Sequence, residues 1–563
     1  MRHLDIQPDL PYAARSLCPV CHAVIDARVY EEQGKVFMGK SCPDHGPFRE
    51  LLSSDAEFFL RLRRAHRDSP VPIQDAAGRE GLDCPLACGL CPRHVSSPVM
   101  VNIDLTNRCN LRCPICFANA AVTGRVCELR WDRIARLLDR IASIRPQPPS
   151  CVQFAGGEPT IHPDFIEAVR RARSLGIAYV EVASNGLRFA QSFEFCQAAS
   201  EAGLSQVYLQ FDGVTDEVYR KTRGRPLFEM KQRAIENIAR ANMRTVLVPT
   251  LVRGVNDHQV GDIVRFAIDH LDAVSAISWQ PVAITGRIDE TRRMEMRYTT
   301  ADLARDIQEQ SGVARMDRDW YPFSAVQPFI RLMEAATKQR YPHYSCHPNC
   351  GCATYLIVDR QTGTASPLPQ FVDVRETMDE MDRIAARIER HPWTTRLSVM
   401  QAMRLLKKHF HADLAPPGWG FEEFLKFVES FLRINEEQAD KAAYMAELRR
   451  QRFGTLLMAS MHFQDAYNFE LDRVQRCVVL YAAPDGGLYP FCTWNSGPCH
   501  RQRVEDAFAT ASRPHDVDEA AGVSARTGRR NEPVLSHAGG IGSPHAQPVA
   551  SSHAPAWHGG HQD

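Results

Sequence analysis

Three cysteines stand at C-x3-C-x2-C spacing in Cys109-Asn-Leu-Arg-Cys113-Pro-Ile-Cys116, directly after the apolar run Val99–Leu105. Thiolates at this spacing can converge on one iron–sulfur cluster and leave its fourth coordination position open, because Cys thiolates are the usual protein ligands of such clusters. An iron without a protein ligand can bind a small molecule, and chemistry would enter there. A structural zinc loop is the alternative reading of the same three residues. The spacing recurs shortly before, in Cys84-Pro-Leu-Ala-Cys88-Gly-Leu-Cys91. Context must decide which triad is catalytic.

Context favours the second triad. After Cys116 the chain alternates apolar strand runs with helical patterns, as expected for parallel βα units. Strands are expected at 99–105, 151–155, 177–183, 207–211, 245–251 and 274–279, with helices at 131–144, 163–175, 189–202, 227–242 and 259–271. Six units are too few for a closed eight-fold barrel and fit an open one whose strand C-termini carry the site. Motifs fall at those ends: Gly156-Gly157-Glu158-Pro159, Ser184-Asn185-Gly186 and Gln210-Phe211-Asp212-Gly213. The glycines permit close backbone approach to a ligand. The carboxylate can receive an ammonium group, and Ser184 and Asn185 can hydrogen-bond a ribose.

The other cysteines form further groups. Cys18-Pro-Val-Cys21 and Cys42-Pro-Asp-His45 flank Ala27–Met38, a β-hairpin around Gln33-Gly34. Two such knuckles make a zinc-ribbon or rubredoxin-like site, with three thiolates and one imidazole around one zinc or mononuclear iron. All four positions are filled, so the role is structural. Downstream lie Cys346, Cys350 and Cys352, then Cys477 and Cys492 on a hairpin turning at Asp485-Gly-Gly487. With Cys84, Cys88 and Cys91 these supply the thiolates of two auxiliary [4Fe–4S] clusters. The simplest assignment gives each triad one cysteine from the late hairpin. The pairing stays open, Cys499 could displace one ligand, and zinc is the competing account. Cys127, Cys151 and Cys196 read as small buried hydrophobes.

With 563 residues, 44% hydrophobic and 24% charged, the chain is an ordinary globular one. Lys+Arg and Asp+Glu both total 67, so no field favours nucleic acid. The start, Met1-Arg-His-Leu-Asp, lacks the apolar stretch of a leader, and no segment reaches membrane-spanning length. A cytoplasmic location is expected, with a peripheral membrane contact left open. Helices are expected at 421–434, rich in Phe, at 397–410, amphipathic with a basic end, and at 456–473. They read as core, or as a greasy wall for a lipid substrate. Residues 512–563 are rich in Ala, Gly, Pro, Ser and His and are expected to be disordered.

The Cys109–Cys116 loop, Gly156–Pro159 and Ser184–Gly186 together resemble the radical S-adenosylmethionine (SAM) superfamily. That resemblance implies a [4Fe–4S] cluster on Cys109, Cys113 and Cys116 whose open iron chelates SAM. It also implies Glu158 against the methionyl ammonium, and an external electron donor of ferredoxin or flavodoxin type. A 5′-deoxyadenosyl radical would then abstract hydrogen from an unactivated C–H bond. Many members carry an aromatic residue just before the third Cys; here Ile115 stands there, with Phe117 one position beyond it. Within the superfamily the chain is similar to the group containing archaeal tetraether lipid synthase and a pterin methylating enzyme. Cys18–Gly46, Cys84–Cys91, Gln280-Pro-Val-Ala-Ile-Thr-Gly-Arg287, Cys346–Cys352 and Pro490-Phe-Cys-Thr-Trp-Asn-Ser-Gly497 carry this second likeness.

The expected architecture is α/β. A zinc-ribbon module (1–66) and an auxiliary cluster loop (67–98) precede a partial (β/α)6 barrel (99–300), followed by an α+β auxiliary-cluster domain (301–511) and the tail (512–563). The leading functional expectation is C–C bond formation on a lipid chain. Radical methylation of a pterin or other small heterocycle is the alternative, and a non-catalytic iron–sulfur electron-transfer protein is the reading from another class. Oligomeric state is not legible.

Overall fold

The computed structural model describes residues 6–69, 71–74, 84–86, 88, 93–120, 124–288, 290–431 and 441–511. Cys91, the end of the Phe-rich segment (432–434) and the tail at 512–563 lie outside the described residues.

The N-terminal module is an antiparallel sheet in chain order, β1 (Tyr12–Leu17), β2 (Val24–Glu32), β3 (Lys35–Cys42) and β4 (Gly46–Ser53). Its β2–β3 turn is the expected Gln33-Gly34 pair, with φ of 53° and 74°. Two left-handed residues give the turn the twist that flanking strands need. Alternation puts Val29, Val36 and Met38 on one face, where they pack on Phe59 of the helix Ala56–Arg64. Asp55 caps that helix by accepting from the Phe58 N–H at 2.7 Å.

The six expected barrel strands form as β5 (Met100–Thr106), β6 (Cys151–Gly156), β7 (Tyr179–Ser184), β8 (Gln206–Gln210), β9 (Arg244–Val248) and β10 (Val274–Pro281), side by side and parallel. Helices such as Trp131–Ala142, Phe165–Ser174 and Phe228–Arg240 bury Ile134, Leu138, Phe165, Val169 and Ile235 against the outer face. This is the packing that makes βα units parallel.

The sheet does not stop at residue 300. Further strands join it: β11 (Gly351–Asp359), β12 (Phe453–Met461), β13 (Val479–Ala482) and β14 (Leu488–Pro490). Its order is β11-β12-β10-β9-β8-β7-β6-β5-β13-β14. β12 pairs parallel with β10, and β13 parallel with β5. The expected barrel boundary at 300 is therefore no break in the sheet, because late segments complete both of its edges. The expected helix at 456–473 is corrected as well. Residues 453–461 are strand β12, paired with β11 along its length and with β10 over 457–460. Long-range pairing overrides the local helical spacing there.

The Phe-rich helix forms as Phe421–Ser430. Phe424 stacks on Phe410 at 5.5 Å and packs with Trp419 and Phe371 in a satellite core separate from the barrel. These rings are core and do not wall the barrel cavity. Among the described residues no helix is long and apolar enough to cross a membrane.

Candidate functional site

Strand β5 delivers the cysteine loop, and β6 locks it. Thr106 O accepts the Gly157 N–H and Arg108 O the Glu158 N–H, both at 2.8 Å. A Cβ on Gly156 (φ 126°) would stand 2.2 Å from Thr106 O, and one on Gly157 2.1 Å from Arg108 O. The glycines thus permit close approach to the backbone that leads into Cys109, where the sequence suggested approach to a ligand. From the opposite side, a Cβ on Gly286 would meet Cys116 O at 2.3 Å, and the Arg287 N–H donates to that carbonyl at 3.0 Å. The Gln280–Arg287 segment therefore seats the third cysteine. Cys109, Cys113 and Cys116 line one cavity of about 210 Å3 at the strand C-termini, with Ile115 and Phe117.

A buried ion pair supports this loop. The Arg223 guanidinium grips Asp212 in two-pronged fashion, Nε to Oδ2 at 2.5 Å and Nη2 to Oδ1 at 2.9 Å, and donates to Ile115 O at 2.9 Å. Asp212 also accepts the Thr250 N–H at 3.2 Å. Burial raises the Asp212 carboxyl, but the Arg223 charge outweighs it and the pKa falls below the ordinary value. Among the thiols, burial drives Cys109 and Cys113 upward. At Cys116 burial is outweighed by the Ala120 N–H, by a hydrogen bond from Arg287 and by the charges of Arg287 and Arg223, so its pKa falls. Three thiols lining one cavity, with the charges of Arg223 and Arg287 acting on them, suit a ligand set that must be ionised to bind iron.

The Gly-Gly-Glu-Pro and Ser-Asn-Gly motifs meet each other. Buried Glu158 accepts from Thr160 Oγ1 (2.5 Å), Ser184 Oγ (2.8 Å) and the Asn185 N–H (2.8 Å). It lies behind the cavity wall and ties β6 to β7, leaving little acceptor capacity for an ammonium group. Asn185 lines the cavity, but its amide donates to Asn110 of the cysteine loop at 2.6 Å and accepts the Leu187 N–H at 3.0 Å. Ser184 likewise lines the cavity, and its hydroxyl serves Glu158 and the Gly186 N–H. Glu158, Ser184 and Asn185 thus brace one another, and Ser184 and Asn185 also face the cavity. Buried Lys231 completes the brace, donating to Asn185 O at 2.7 Å and Gln210 Oε1 at 2.9 Å. Burial lowers its pKa to about 7.

The remaining thiols gather where the two edges of the open sheet meet. Cys346 and Cys350, ahead of β11, share an apolar cluster with Val99, Val478 and Val479 from the other edge. Beyond burial, Cys350 and Cys477 raise the Cys346 pKa by charge repulsion, and Cys492 and Cys350 do the same to Cys477. Arg473 donates to Cys350 Sγ at 3.5 Å, and burial raises the Cys492 pKa to about 11 although the Arg473 charge opposes it. Cys492 sits on the short helix Phe491–Asn495, not in the strand expected for it, and lines the same cavity as Cys109–Cys116. Cys352 does not join the group. It is fully buried in the barrel core on β11.

Cys84 packs with Cys492 and Phe469, and Cys88 with Tyr481 and Trp494. His500 to Pro85 O (3.0 Å) and His94 to Cys477 O (2.8 Å) pin that segment to the C-terminal hairpin. Cys499 opens the helix His500–Phe508 beside Arg501 and Glu505. Cys151 and Cys196 are buried, as expected of small hydrophobes; Cys127 is half-buried.

In the N-terminal module, Cys18, Cys21, Cys42 and His45 bring their ligand atoms within 4.8 Å of one another. Cys18 Sγ–His45 Nδ1 is 3.7 Å, Cys42 Sγ–His45 Nδ1 3.5 Å and Cys21 Sγ–Cys42 Sγ 3.9 Å. Tetrahedral ligands at zinc distances stand about 3.5–3.8 Å apart, so the residues fit the ion. A buried charge relay connects this module to the cavity. Arg297 bridges Glu50 of β4 (2.9 Å) and Asp465 (2.6 Å), and Asp465 accepts the Ile284 N–H (2.9 Å) in the segment that seats Cys116. Sequence reasoning missed Arg223, Lys231 and Arg297. Their one signal was a cation on the apolar face of a helix or next to one, which usually means only a snorkelling side chain.

An open parallel barrel with a three-cysteine loop after its first strand defines a radical SAM enzyme. The radical SAM superfamily description matches residues 103–267, and the "HMPTM N-terminal zinc ribbon domain" matches 10–54. A 7,8-dihydro-6-hydroxymethylpterin dimethyltransferase from Methanocaldococcus jannaschii is 38% identical over 495 residues, 88% of this chain and 95% of that protein. A GTP 3′,8-cyclase from Limosilactobacillus fermentum is 29% identical over 39% of this chain and 63% of its own length. Streptococcus suis SuiB superposes over 38% of this chain and 46% of its own with a TM-score of 0.32 and 17% identity. The chain belongs to the radical SAM superfamily, in the family of the M. jannaschii relative. The family's cofactors are a [4Fe–4S] cluster and SAM, and its zinc ribbon accounts for the N-terminal ligand set.

Proposed function

We propose that the chain methylates a reduced pterin or a closely related small heterocycle by radical SAM chemistry. The observation that carries this reading is the 38% identity to a pterin dimethyltransferase over nearly the whole of both chains. The compact cavity supports it, since one space of about 210 Å3 reaches from Cys109–Cys116 to Cys492. Cys109, Cys113 and Cys116 would hold the SAM-binding cluster, which together with SAM supplies a carbon-centred radical. Arg223 and Arg287 balance the charge of the thiolates, and the Glu158–Ser184–Asn185 brace keeps the strand ends in register.

Cys346, Cys350, Cys477 and Cys492 would hold one auxiliary [4Fe–4S] cluster, and Cys84, Cys88 and Cys91 a second. A ferredoxin- or flavodoxin-type protein would deliver the electrons. Metal analysis of reconstituted protein tests the assignment, with about twelve irons and about one zinc per chain expected. About eight irons would remove the Cys84–Cys91 cluster.

A second reading, radical C–C bond formation on a lipid chain, draws on one feature. The rings of Phe117, Phe491 and Phe463 stand in sequence along the cavity, with centroids 6.0 and 3.7 Å apart. The Phe421–Ser430 helix lends it nothing. Protein incubated with SAM, a reductant and 7,8-dihydro-6-hydroxymethylpterin should release 5′-deoxyadenosine and methylated pterin, read by mass spectrometry. Unchanged pterins beside an altered lipid profile in cells with and without the protein would reverse the preference.

A further inference from the structure

The barrel interior below the cysteine loop is set with carboxamides. Gln153 on β6, Tyr208 and Gln210 on β8 and Gln280 on β10 all line the cavity. Side chains two apart on a strand share a face, so Tyr208 and Gln210 point inward together. The Gln210 and Gln153 amides are each turned one way by a charged neighbour. Lys231, which also donates to Asn185 O, donates to Gln210 Oε1 at 2.9 Å. The Gln210 NH2 group therefore faces away from it, and Nε2 is buried without a partner. Glu181, one strand over, accepts Gln153 Nε2 at 3.2 Å and Gln206 Nε2 at 2.5 Å. That leaves Gln153 Oε1 as the group it can offer. Gln280 Nε2 donates to Tyr208 OH at 3.2 Å, and Tyr208 bonds Ser278 at 2.5 Å. The Tyr208 hydroxyl can donate or accept, so Gln280 can present either end of its amide.

The result is a donor at Gln210 and an acceptor at Gln153, with Gln280 able to supply either, carried on rigid strands rather than loops. A buried donor without a partner is costly unless a ligand supplies the acceptor. An alkyl chain could not satisfy it. A fused heterocycle whose edge alternates ring acceptors with N–H and amino donors could satisfy all three groups at once.

We infer that Gln153, Gln210 and Gln280 form the floor that reads the substrate ring, with Gln210 donating to a ring acceptor, Gln153 accepting from a ring N–H or amino group and Gln280 supplying either. This rests on the pterin reading above and deepens it. Glu181 and Lys231 are positioning residues that hold the Gln153 and Gln210 amides in the required orientation.

The test is binding of 7,8-dihydro-6-hydroxymethylpterin to the full-length, cluster-reconstituted protein without reductant, followed by ligand fluorescence. Gln210→Glu keeps the side-chain shape and an acceptor for Lys231 and removes the donor. Gln153→Met and Gln280→Met remove the other two amides. Each variant should weaken pterin binding about tenfold, as expected for one buried hydrogen bond. The SAM dissociation constant is measured in parallel, and a loss confined to SAM would overturn the assignment. So would wild-type binding with all three variants unchanged, which would leave the pterin reading standing. A wild-type protein that binds no pterin would overturn the reading and the floor together.

Discussion

Asp212→Asn is the sharpest test of how the cysteine loop is held. The substitution keeps shape and removes one charge from a pair whose side chains are 9% and 0% exposed. Arg223 stays buried, still bonded to Ile115 O, but loses the counter-ion that holds its pKa above the ordinary arginine value against burial. Breaking a buried pair from one side costs about 3–5 kcal/mol. With roughly 2.1 cal/mol/K of unfolding entropy per residue over about 500 residues, that lowers Tm by about 3–5 °C. The structure adds a condition. Cys113 and Cys116 are the other negative charges that Arg223 feels. Thiolates bound to iron would return part of the lost attraction, so the drop should be larger in iron-free protein than in reconstituted protein. Anaerobic thermal unfolding of both forms measures the difference. Replacing both partners, as in Asp212→Asn with Arg223→Met, should recover most of the loss, because no charge is then left buried. Equal Tm drops in the two forms, or a double variant no better than the single one, would refute the reasoning.

Three further outcomes follow from other parts of the structure. Gly157→Ala puts a methyl group 2.1 Å from Arg108 O, and should cost the reconstituted protein about four irons per chain by displacing the cysteine loop; wild-type iron content would sink this. Phe424→Ala should destabilise by about 3–5 kcal/mol yet leave KM for SAM unchanged, since its rings contact the satellite core and not the cavity; a raised KM would restore a substrate role. Burial, with some repulsion from Arg173, holds the Lys441 pKa down to about 8. A depressed folded pKa contributes stability that is present above the ordinary lysine value and lost as pH falls through about 8. Tm should therefore decline over that interval in wild type and decline less in Lys441→Met, and parallel Tm curves would exclude Lys441 as the source.

Much of the chemistry was legible because it is local. The C-x3-C-x2-C spacing of Cys109–Cys116, the knuckles at Cys18–Cys21 and Cys42–His45, and the turn at Gln33-Gly34 each fit within a few residues, where covalent geometry limits what the backbone can do. The six βα units were legible for the same reason, since strand and helix leave different hydrophobic periods. The misreadings share a cause too. Residues 456–461 looked helical by spacing and became part of a strand because two distant strands claimed their backbone. Cys352 looked like a ligand by its nearness in sequence to Cys350, yet it faces the core. Glu158, expected against the methionyl ammonium, has partners that only the fold shows, since β7 lies beside β6 and supplies Ser184 and Asn185.

By itself the sequence determined the cofactor-bearing loop, the metal knuckles, the parallel barrel and the superfamily. Tertiary structure alone decided which distant groups meet: Arg223 with Asp212 under the cysteine loop, Arg297 between the zinc module and the cavity, and Cys346 and Cys350 with Cys477 and Cys492. The reason is that these contacts depend on the order of strands across the sheet. Strands from residues 351–359 and 479–482 lie toward opposite edges of one open barrel, and the place where those ends meet has no counterpart in any local run of residues.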